Sequence, residues 1–339
     1  MVLKAAILVG GAGTRLWPLS TPSLPKPFVS LGPLGRLYPR TLERARALAP
    51  GGVMAVGSAP MRPFCESTGV AFLEEPFARN TTAAVALAAV AARRDGGEGA
   101  CLVVLPSDHL IPEVEPFART VRLLAGACLQ QRTLGIMGIR PTGPETAYGY
   151  VVEGPPSGPV VRVRRFVEKP DRQKAHELLA SGRARWNSGI FCLPVEVLRE
   201  EMAMHCPAYW QAAEAWHLGG DPKPYEDLVS TSIDYALMER TERVVMVRAD
   251  FAWSDLGTFR SLHESLPKDG SGNSGWGPGR IEECRDCLVV TQRAETLVRG
   301  LTAQVVVETE EGLLAVPMER TGEIRSDVEA ILRKQQLNS

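Results

Sequence analysis

The sequence predicts an α/β fold built on a largely parallel sheet, followed by a small β-rich appendage. Short apolar runs rich in β-branched residues alternate with longer alanine- and leucine-rich stretches through the first 265 residues, the pattern of βαβ units whose helices cover both faces of a sheet. The character changes at SLPKDGSGNSGWGPG, residues 265–279, where Gly, Pro and Ser crowd together and several short strands follow in quick succession. At 339 residues, 45% hydrophobic and 23% charged, the chain is long enough to bury a substantial core.

Taken in order, the strands are expected at 3–9, 52–57, 101–105, 133–139, 147–153, 160–168, 188–193 and 243–248, each a short apolar run. Between them, helices are expected at 40–48, 80–94, 116–131, 171–181, 194–204, 207–217, 232–240 and 257–265, with the alanine-rich stretch after Asn80 the most regular. Beyond residue 281, CLVVTQRAETLVRGLTAQVVVETEEGLLAVP supplies short strands and a final helix falls near 326–336. The division expected is therefore a domain over 1–265, a linker over 266–280 and a small β-rich domain with a terminal helix over 281–339. Ligands in an open α/β sheet collect at the carboxyl ends of the strands.

A formal net charge of −1 provides no long-range field for nucleic acid or an anionic membrane, so positive charge at a site must be local. No apolar run approaches the roughly 20 residues that span a bilayer, and the chain opens into a strand rather than a leader, so a cytoplasmic enzyme is expected. Seven cysteines, an odd number lying mostly within apolar runs, fit reduced core thiols better than a disulfide framework. Cys284 and Cys287 have CxxC spacing but no second pair to complete a four-ligand metal site.

The segment LVGGAGTRLWPLSTPSLPKPF, residues 8–28, concentrates the functional signal. Gly10, Gly11 and Gly13 follow a strand and permit close backbone approach, so successive N–H groups can converge on an anion. Two common phosphate motifs fail here: G-x-G-x-x-G would need glycine at Leu16, and the P-loop would need Gly-Lys-Ser/Thr where Gly13-Thr14-Arg15 stands. The glycines alone are equally a tight turn. Arg15 adds a planar fork and Lys26, between two prolines, a point charge on a stiff backbone, a combination suited to a polyphosphate.

The pattern G-G-x-G-T-R-L with a downstream P-K-P resembles the signature of the sugar nucleotidyltransferases. Further segments extend the resemblance: FVEKP at 166–170, WNSGIF at 186–191, and EPFARNTTAA, LPSDHLI, TAYGYV, SIDYALME and FAWSDLGTF. Together they are similar to the mannose-1-phosphate guanylyltransferase branch, over residues 3 to about 265, with a tail like that branch's short C-terminal segment. The resemblance implies a Rossmann-like nucleotidyltransferase domain with a mostly parallel mixed sheet and a small β-helix-like C-terminal domain. It also implies GTP and mannose 1-phosphate as substrates and Mg²⁺ as the metal. Longer members of the branch carry an isomerase-type domain for which this sequence has no room, so isomerase activity is not expected.

By the same resemblance, Asp108 and Asp255 hold the metal, Lys26 meets the α-phosphate, Arg15 meets the leaving phosphates, and the Gly10 to Thr14 backbone lies beneath them. Lys169 is assigned to the sugar phosphate, Glu168 and Asn187 to hexose hydroxyls, and Gly149 to close substrate approach. Glu75 would accept the adjacent N1–H and N2 donors of guanine, while Asn80 and Thr81 would lie near the ribose or phosphates at a helix start. Plain structural roles stay open for several: Asp108 and Asp255 as turn or cap residues, Asn187 as a turn former, Asn80 as an N-cap, His109 as a structural neighbour. Two other readings also stay open: the same chemistry with glucose 1-phosphate, UTP or dTTP, and a non-catalytic nucleotide-sugar sensor. The short strands of the tail leave edges that a homodimer contact would cover.

Overall fold

The computed structural model describes residues 1–11 and 13–337. Ala12, inside the expected Gly10 to Thr14 cradle, and the last two residues of the expected C-terminal domain lie outside the described residues. The chain forms two compact units. One takes Met1–Val9, Thr41–Ser107 and Ile111–Trp253; the other takes Gly10–Arg40, Asp108–Leu110 and the chain from Ser254 onward.

The first unit is built on β1 (Val2–Leu8), β2 (Val53–Ser58), β3 (Ala71–Glu75), β4 (Ala100–Pro106), β5 (Leu134–Ile139), β6 (Tyr150–Ser157), β7 (Val160–Val167), β8 (Ala184–Pro194) and β9 (Val244–Arg248). They form one sheet in the order β3-β2-β1-β4-β8-β5-β9-β7-β6. Only β7 and β8 run against the others, so the sheet is mixed but mostly parallel. Ala6 in β1 pairs with Met54 on one side and Val104 on the other. The helices are α1 (Leu37–Leu48), which starts in the second unit, then α2 (Arg62–Glu66), α3 (Asn80–Gly96), α4 (Val114–Gln131), α5 (Arg172–Ala180), α6 (Val195–His205), α7 (Pro207–Gly219) and α8 (Lys223–Glu226).

Helix α3 is buried on all sides from Thr82 to Ala92, because it lies on β1, β2 and β4 and under α7. Its alanines allow that double contact, while Val85, Leu87 and Val90 each contribute roughly 1.5–3 kcal/mol of burial. Leu102 and Val104 of β4 join the core beneath α3. On the opposite face, Cys192 Sγ of β8 lies 3.9 Å from the carbonyl oxygen of Val121 in α4.

In the second unit, β10 (Ser274–Trp276), β12 (Leu288–Val290) and β14 (Gln304–Thr309) pair in parallel, as do β11 (Arg280–Glu282) and β13 (Leu297–Arg299). Ser274 stacks on Leu288 and Leu288 on Val305, the rung-on-rung arrangement of a β-helix-like coil, and β15 (Gly312–Pro317) closes it as an antiparallel hairpin with β14. α9 (Phe259–Ser265) enters the unit behind a Thr258–Ser261 capping box, and α10 (Arg325–Leu337) ends it. Leu16, Trp17, Leu19, Val29 and Leu31 of the opening segment share a buried cluster with Leu288, Val290, Val305 and Val307.

Besides the unexpected short helices α2 and α8, three elements depart from expectation. Ala71–Glu75 is an edge strand with no matching sequence signal, since AFLEE lacks alternation and ends in two glutamates, one of which pairs with Arg62. The helix expected at 232–240 shrinks to a π-helical turn, Asp234–Met238, closed by Glu239 N donating to Asp234 O at 2.9 Å. Its start is pinned from outside, by Thr81 Oγ1 on Ile233 N and by Asn187 on Asp234. Ser274–Trp276, inside the Gly-rich stretch, is a strand because Ser274 N donates to Cys287 O and Asn273 is bonded to both Cys284 O and Cys287 N. Cys284 and Cys287 pack with Val289, Val298 and Val306, and all seven thiols are buried and free. Among the described residues no helix is long and apolar enough to cross a membrane.

Candidate active site

The glycine segment leaves β1 and turns at Gly13, whose φ of 63° only glycine adopts without strain. A Cβ there would stand 2.7 Å from Lys26 Cβ and 3.2 Å from Ser20 Oγ, so the position also admits no side chain. Ser20 Oγ donates to Gly13 O at 2.6 Å and locks the turn. The Lys26–Phe28 turn is fully buried, with Pro27 inside it and Pro25 before it, so Lys26 projects from a stiff support.

Lys26 Nζ donates to Asp108 Oδ2 at 2.7 Å and to the carbonyl oxygen of Asp255 at 2.5 Å. Asp108 follows β4, and a bridge between Leu110 and Ser254 ties its segment to the one carrying Asp255. Asp255 Oδ1 accepts from Gly257 N at 3.0 Å, and between them Leu256 is held at φ 45°. Burial works to raise the Asp108 carboxyl, but the Lys26 ammonium and His109 outweigh it and the net shift is downward, favouring the carboxylate. A cavity of about 320 Å³ is lined by Gly11, Gly13, Thr14, Arg15, Lys26, Asp108, His109 and Asp255, together with Leu16, Gly257 and Arg325. Gly10, of the expected cradle, is not among the lining residues.

A second group lies in the first unit. Asn187 N donates to Gly149 O at 2.8 Å, and a Cβ on Gly149 would stand 2.3 Å from Glu168 Oε2. Glu168 Oε1 is paired with Lys169 Nζ at 2.6 Å, while Oε2 is buried without a hydrogen-bond partner. Lys169 has φ 45°, a left-handed conformation that a lysine holds only under restraint. Asn187 Nδ2 donates to Asp234 Oδ1 at 2.8 Å, and its Oδ1 accepts from Gly189 N at 2.8 Å. Burial raises the Glu168 carboxyl, with Asp234 adding to it, and burial raises Asp234 as well. Burial opposes the charge on Lys169, yet Glu168 outweighs it and holds the ammonium above its ordinary value. A buried acceptor without a donor, beside an amide and a cation, is suited to a polyhydroxyl anion.

Glu75 ends edge strand β3. Burial pushes its carboxyl up to about 7 against the opposing hydrogen bond from Tyr225 Oη, which donates to Oε1 at 3.0 Å. Trp216 Nε1 donates to Glu74 O at 2.8 Å and fixes the strand end. At the start of α3, Asn80 is the first helical residue at φ 66°, rather than a cap before it, and its Oδ1 accepts from Thr81 N at 2.8 Å. Through Thr81 Oγ1 on Ile233 N, α3 joins the turn that carries Asp234.

The nucleotidyl transferase family model matches residues 4–271, well over half of the chain. The chain belongs to that family. Similarity to individual members of the nucleotidyl transferases extends over nearly its full length. The xanthan biosynthesis protein XanB of Xanthomonas campestris pv. campestris is 38% identical over 341 residues, covering 96% of this chain and 72% of XanB. The mannose-1-phosphate guanylyltransferase of Escherichia coli is 32% identical over 355 residues, covering 98% of this chain and 75% of its own. The crystal structure of mannose-1-phosphate geranyltransferase from Thermus thermophilus superposes with a TM-score of 0.89 at 33% identity, over 98% of this chain and 99% of that one.

Within this nucleotidyl transferase, Arg15, Lys26, Asp108 and Asp255 stand around one cavity, and Gly149, Glu168, Lys169 and Asn187 form one contact group. Sequence reasoning missed Asp234, Tyr225 and Arg325. Asp234 lies inside SIDYALME, whose pattern reads as plain helix. Tyr225 lies in KPYED and Arg325 in EIRSD, which carry no local signal, so only tertiary contact reveals them.

Proposed function

We propose that this nucleotidyl transferase moves GMP from GTP to α-D-mannose 1-phosphate, giving GDP-mannose and pyrophosphate, in the cytoplasm. A phosphate oxygen of the sugar phosphate bonds to the α-phosphorus as the α–β bridging bond breaks, and pyrophosphate leaves with the electron pair. Both partners are anionic, so the work is charge neutralisation and in-line positioning, with no covalent nucleophile. The observation that carries the reading is the cavity in which Lys26, Asp108 and Asp255 converge beside the glycine turn and Arg15.

In this reading Gly11, Gly13, Thr14 and Arg15 hold the β- and γ-phosphates and Lys26 the α-phosphate. Lys169 takes the sugar phosphate, and the partnerless Glu168 Oε2 accepts a hexose hydroxyl with Asn187 beside it. Glu75 accepts from guanine, with Asn80 and Thr81 at the ribose side. Asp108 and Asp255 fit Mg²⁺: two hard carboxylates line the cavity. That matches an ion that uses one or two carboxylates and fills its shell with water and phosphate. When bound, Mg²⁺ would offset charge on the phosphate oxygens.

The test mixes the protein, Mg²⁺ and mannose 1-phosphate with each of four nucleoside triphosphates and follows pyrophosphate. Release with GTP far above the others is expected. Equal release with UTP or dTTP removes the guanine assignment, and preference for glucose 1-phosphate removes the mannose assignment. Binding of GDP-mannose without release from any triphosphate leaves a sensor instead of an enzyme.

A further inference from the structure

Arg325, the first residue of α10, lines the same cavity as Gly13, Arg15, Lys26, Asp108 and Asp255. We propose that Arg325 is a further phosphate-contacting cation, supplied by the C-terminal helix, that binds the outgoing pyrophosphate. The proposal rests on the nucleotidyl-transfer reading above.

Its placement is built into the unit. α10 packs against the Thr14–Leu16 turn, and Ile324 and Val328, on either side of Arg325, are 6% and 1% exposed in the cluster that contains Leu16 and Val305. Thr321 Oγ1 donates to Met318 O at 3.1 Å and Val328 N to Ile324 O at 3.0 Å, which fixes the entry into the helix. Thr309 Oγ1 donates to Pro18 O at 3.2 Å, holding the coil to the segment that carries Arg15. The β-rich coil is thus the platform on which the glycine turn is set, and α10 returns the chain to it.

The charge balance gives Arg325 a purpose. Among the arginine, lysine and aspartate side chains that line the cavity, Arg15 and Lys26 are matched by Asp108 and Asp255, and Arg325 is the cation left over. Pyrophosphate gathers its charge on the terminal phosphates, and a guanidinium fork binds such oxygens two at a time. Arg325 Nε donates to Glu329 Oε1 at 2.9 Å, with the two side chains 63% and 39% exposed. A pair so open to water is weak and readily exchanged for a polyanion.

The test runs the reaction in reverse, from GDP-mannose and pyrophosphate, and measures pyrophosphate binding by calorimetry with Mg²⁺ present. Arg325→Ala should raise KM for pyrophosphate about tenfold or more and weaken its binding to match, with KM for GDP-mannose within about twofold of wild type. Arg325→Lys should recover part of the loss, since it restores charge without the fork. Glu329→Gln, which removes the helix pair, should leave KM for pyrophosphate unchanged or lower it. Wild-type pyrophosphate affinity in Arg325→Ala overturns the proposal, and so does an equal loss in Glu329→Gln, because the pair would then serve only the helix. A wild-type protein that binds pyrophosphate but does not turn over would remove the transfer reading while the calorimetry still decides Arg325. One that neither binds nor turns over removes both.

Discussion

Replacing Gly149 by alanine adds one methyl group where Glu168 Oε2 is 2.3 Å and Asn187 Cβ 3.1 Å away. Gly149 does not have a positive φ, so the backbone accepts alanine and the effect is purely one of space. An unstrained contact needs about 3.5 Å, so the Glu168 carboxylate must retreat by about 1 Å. It has little room to do so, being 6% exposed and tied through Oε1 to Lys169 at 2.6 Å. The displacement falls on the two groups assigned to the hexose and its phosphate. A misplacement of about 1 Å costs on the order of 100-fold, or about 2.7 kcal/mol of transition-state stabilisation. Steady-state assays with mannose 1-phosphate varied at saturating GTP should show kcat/KM lowered by about that factor, with KM for GTP within about twofold. A folded variant with wild-type kcat/KM for the sugar phosphate would refute the assignment of Glu168 and Asn187.

Other perturbations report on the remaining groups. Lys26→Met should lower kcat by about 10²–10³; its circular-dichroism melts carry a second signature. Because Asp108 titrates below its ordinary value, its pair with Lys26 stabilises the fold above the unfolded carboxylate pKa and loses that contribution as pH falls through the depressed folded one, an acid-side drop in Tm that the variant should lack. Asp255→Asn should reduce turnover by orders of magnitude and demand more Mg²⁺ for half-maximal rate; a wild-type Mg²⁺ requirement would contradict its role. Glu75, raised to about 7 by burial, would have to be ionised for the proposed contact with guanine, so KM for GTP should fall as pH rises through about 7 and level off above it. Tyr225→Phe removes the hydrogen bond that opposes this rise, so the midpoint of that profile should move to higher pH, and an unmoved midpoint would separate Glu75 from base binding.

Much of this site was legible because its residues sit where local chemistry leaves a trace. Gly13 and the Pro-flanked Lys26 mark themselves by backbone constraint, and Asp108 follows an apolar strand whose carboxyl end is where α/β sheets bind ligands. The sheet was readable for a similar reason, since β4, β5 and the centre of β1, residues 5–7, are apolar runs buried on both faces. β3 was not, because an edge strand needs no such pattern. Asp234 reads as a helical residue until Asn187 and Thr81 pin the turn that holds it. Tyr225 and Arg325 gain meaning only from partners 150 residues upstream in one case and a cavity lined by residues near the opposite end of the chain in the other. The compact unit that unites Gly10–Arg40 with the chain from Ser254 has no local signature at all, because it is a property of long-range packing.

The most direct test is a crystal structure of the protein with GTP and Mg²⁺. The account predicts the triphosphate over Gly11, Gly13 and Thr14, Arg15 and Lys26 within hydrogen-bonding reach of its oxygens, and the ion bound by Asp108 or Asp255. A nucleotide ordered elsewhere, with Lys26 still bridging Asp108 and the Asp255 carbonyl, would contradict it.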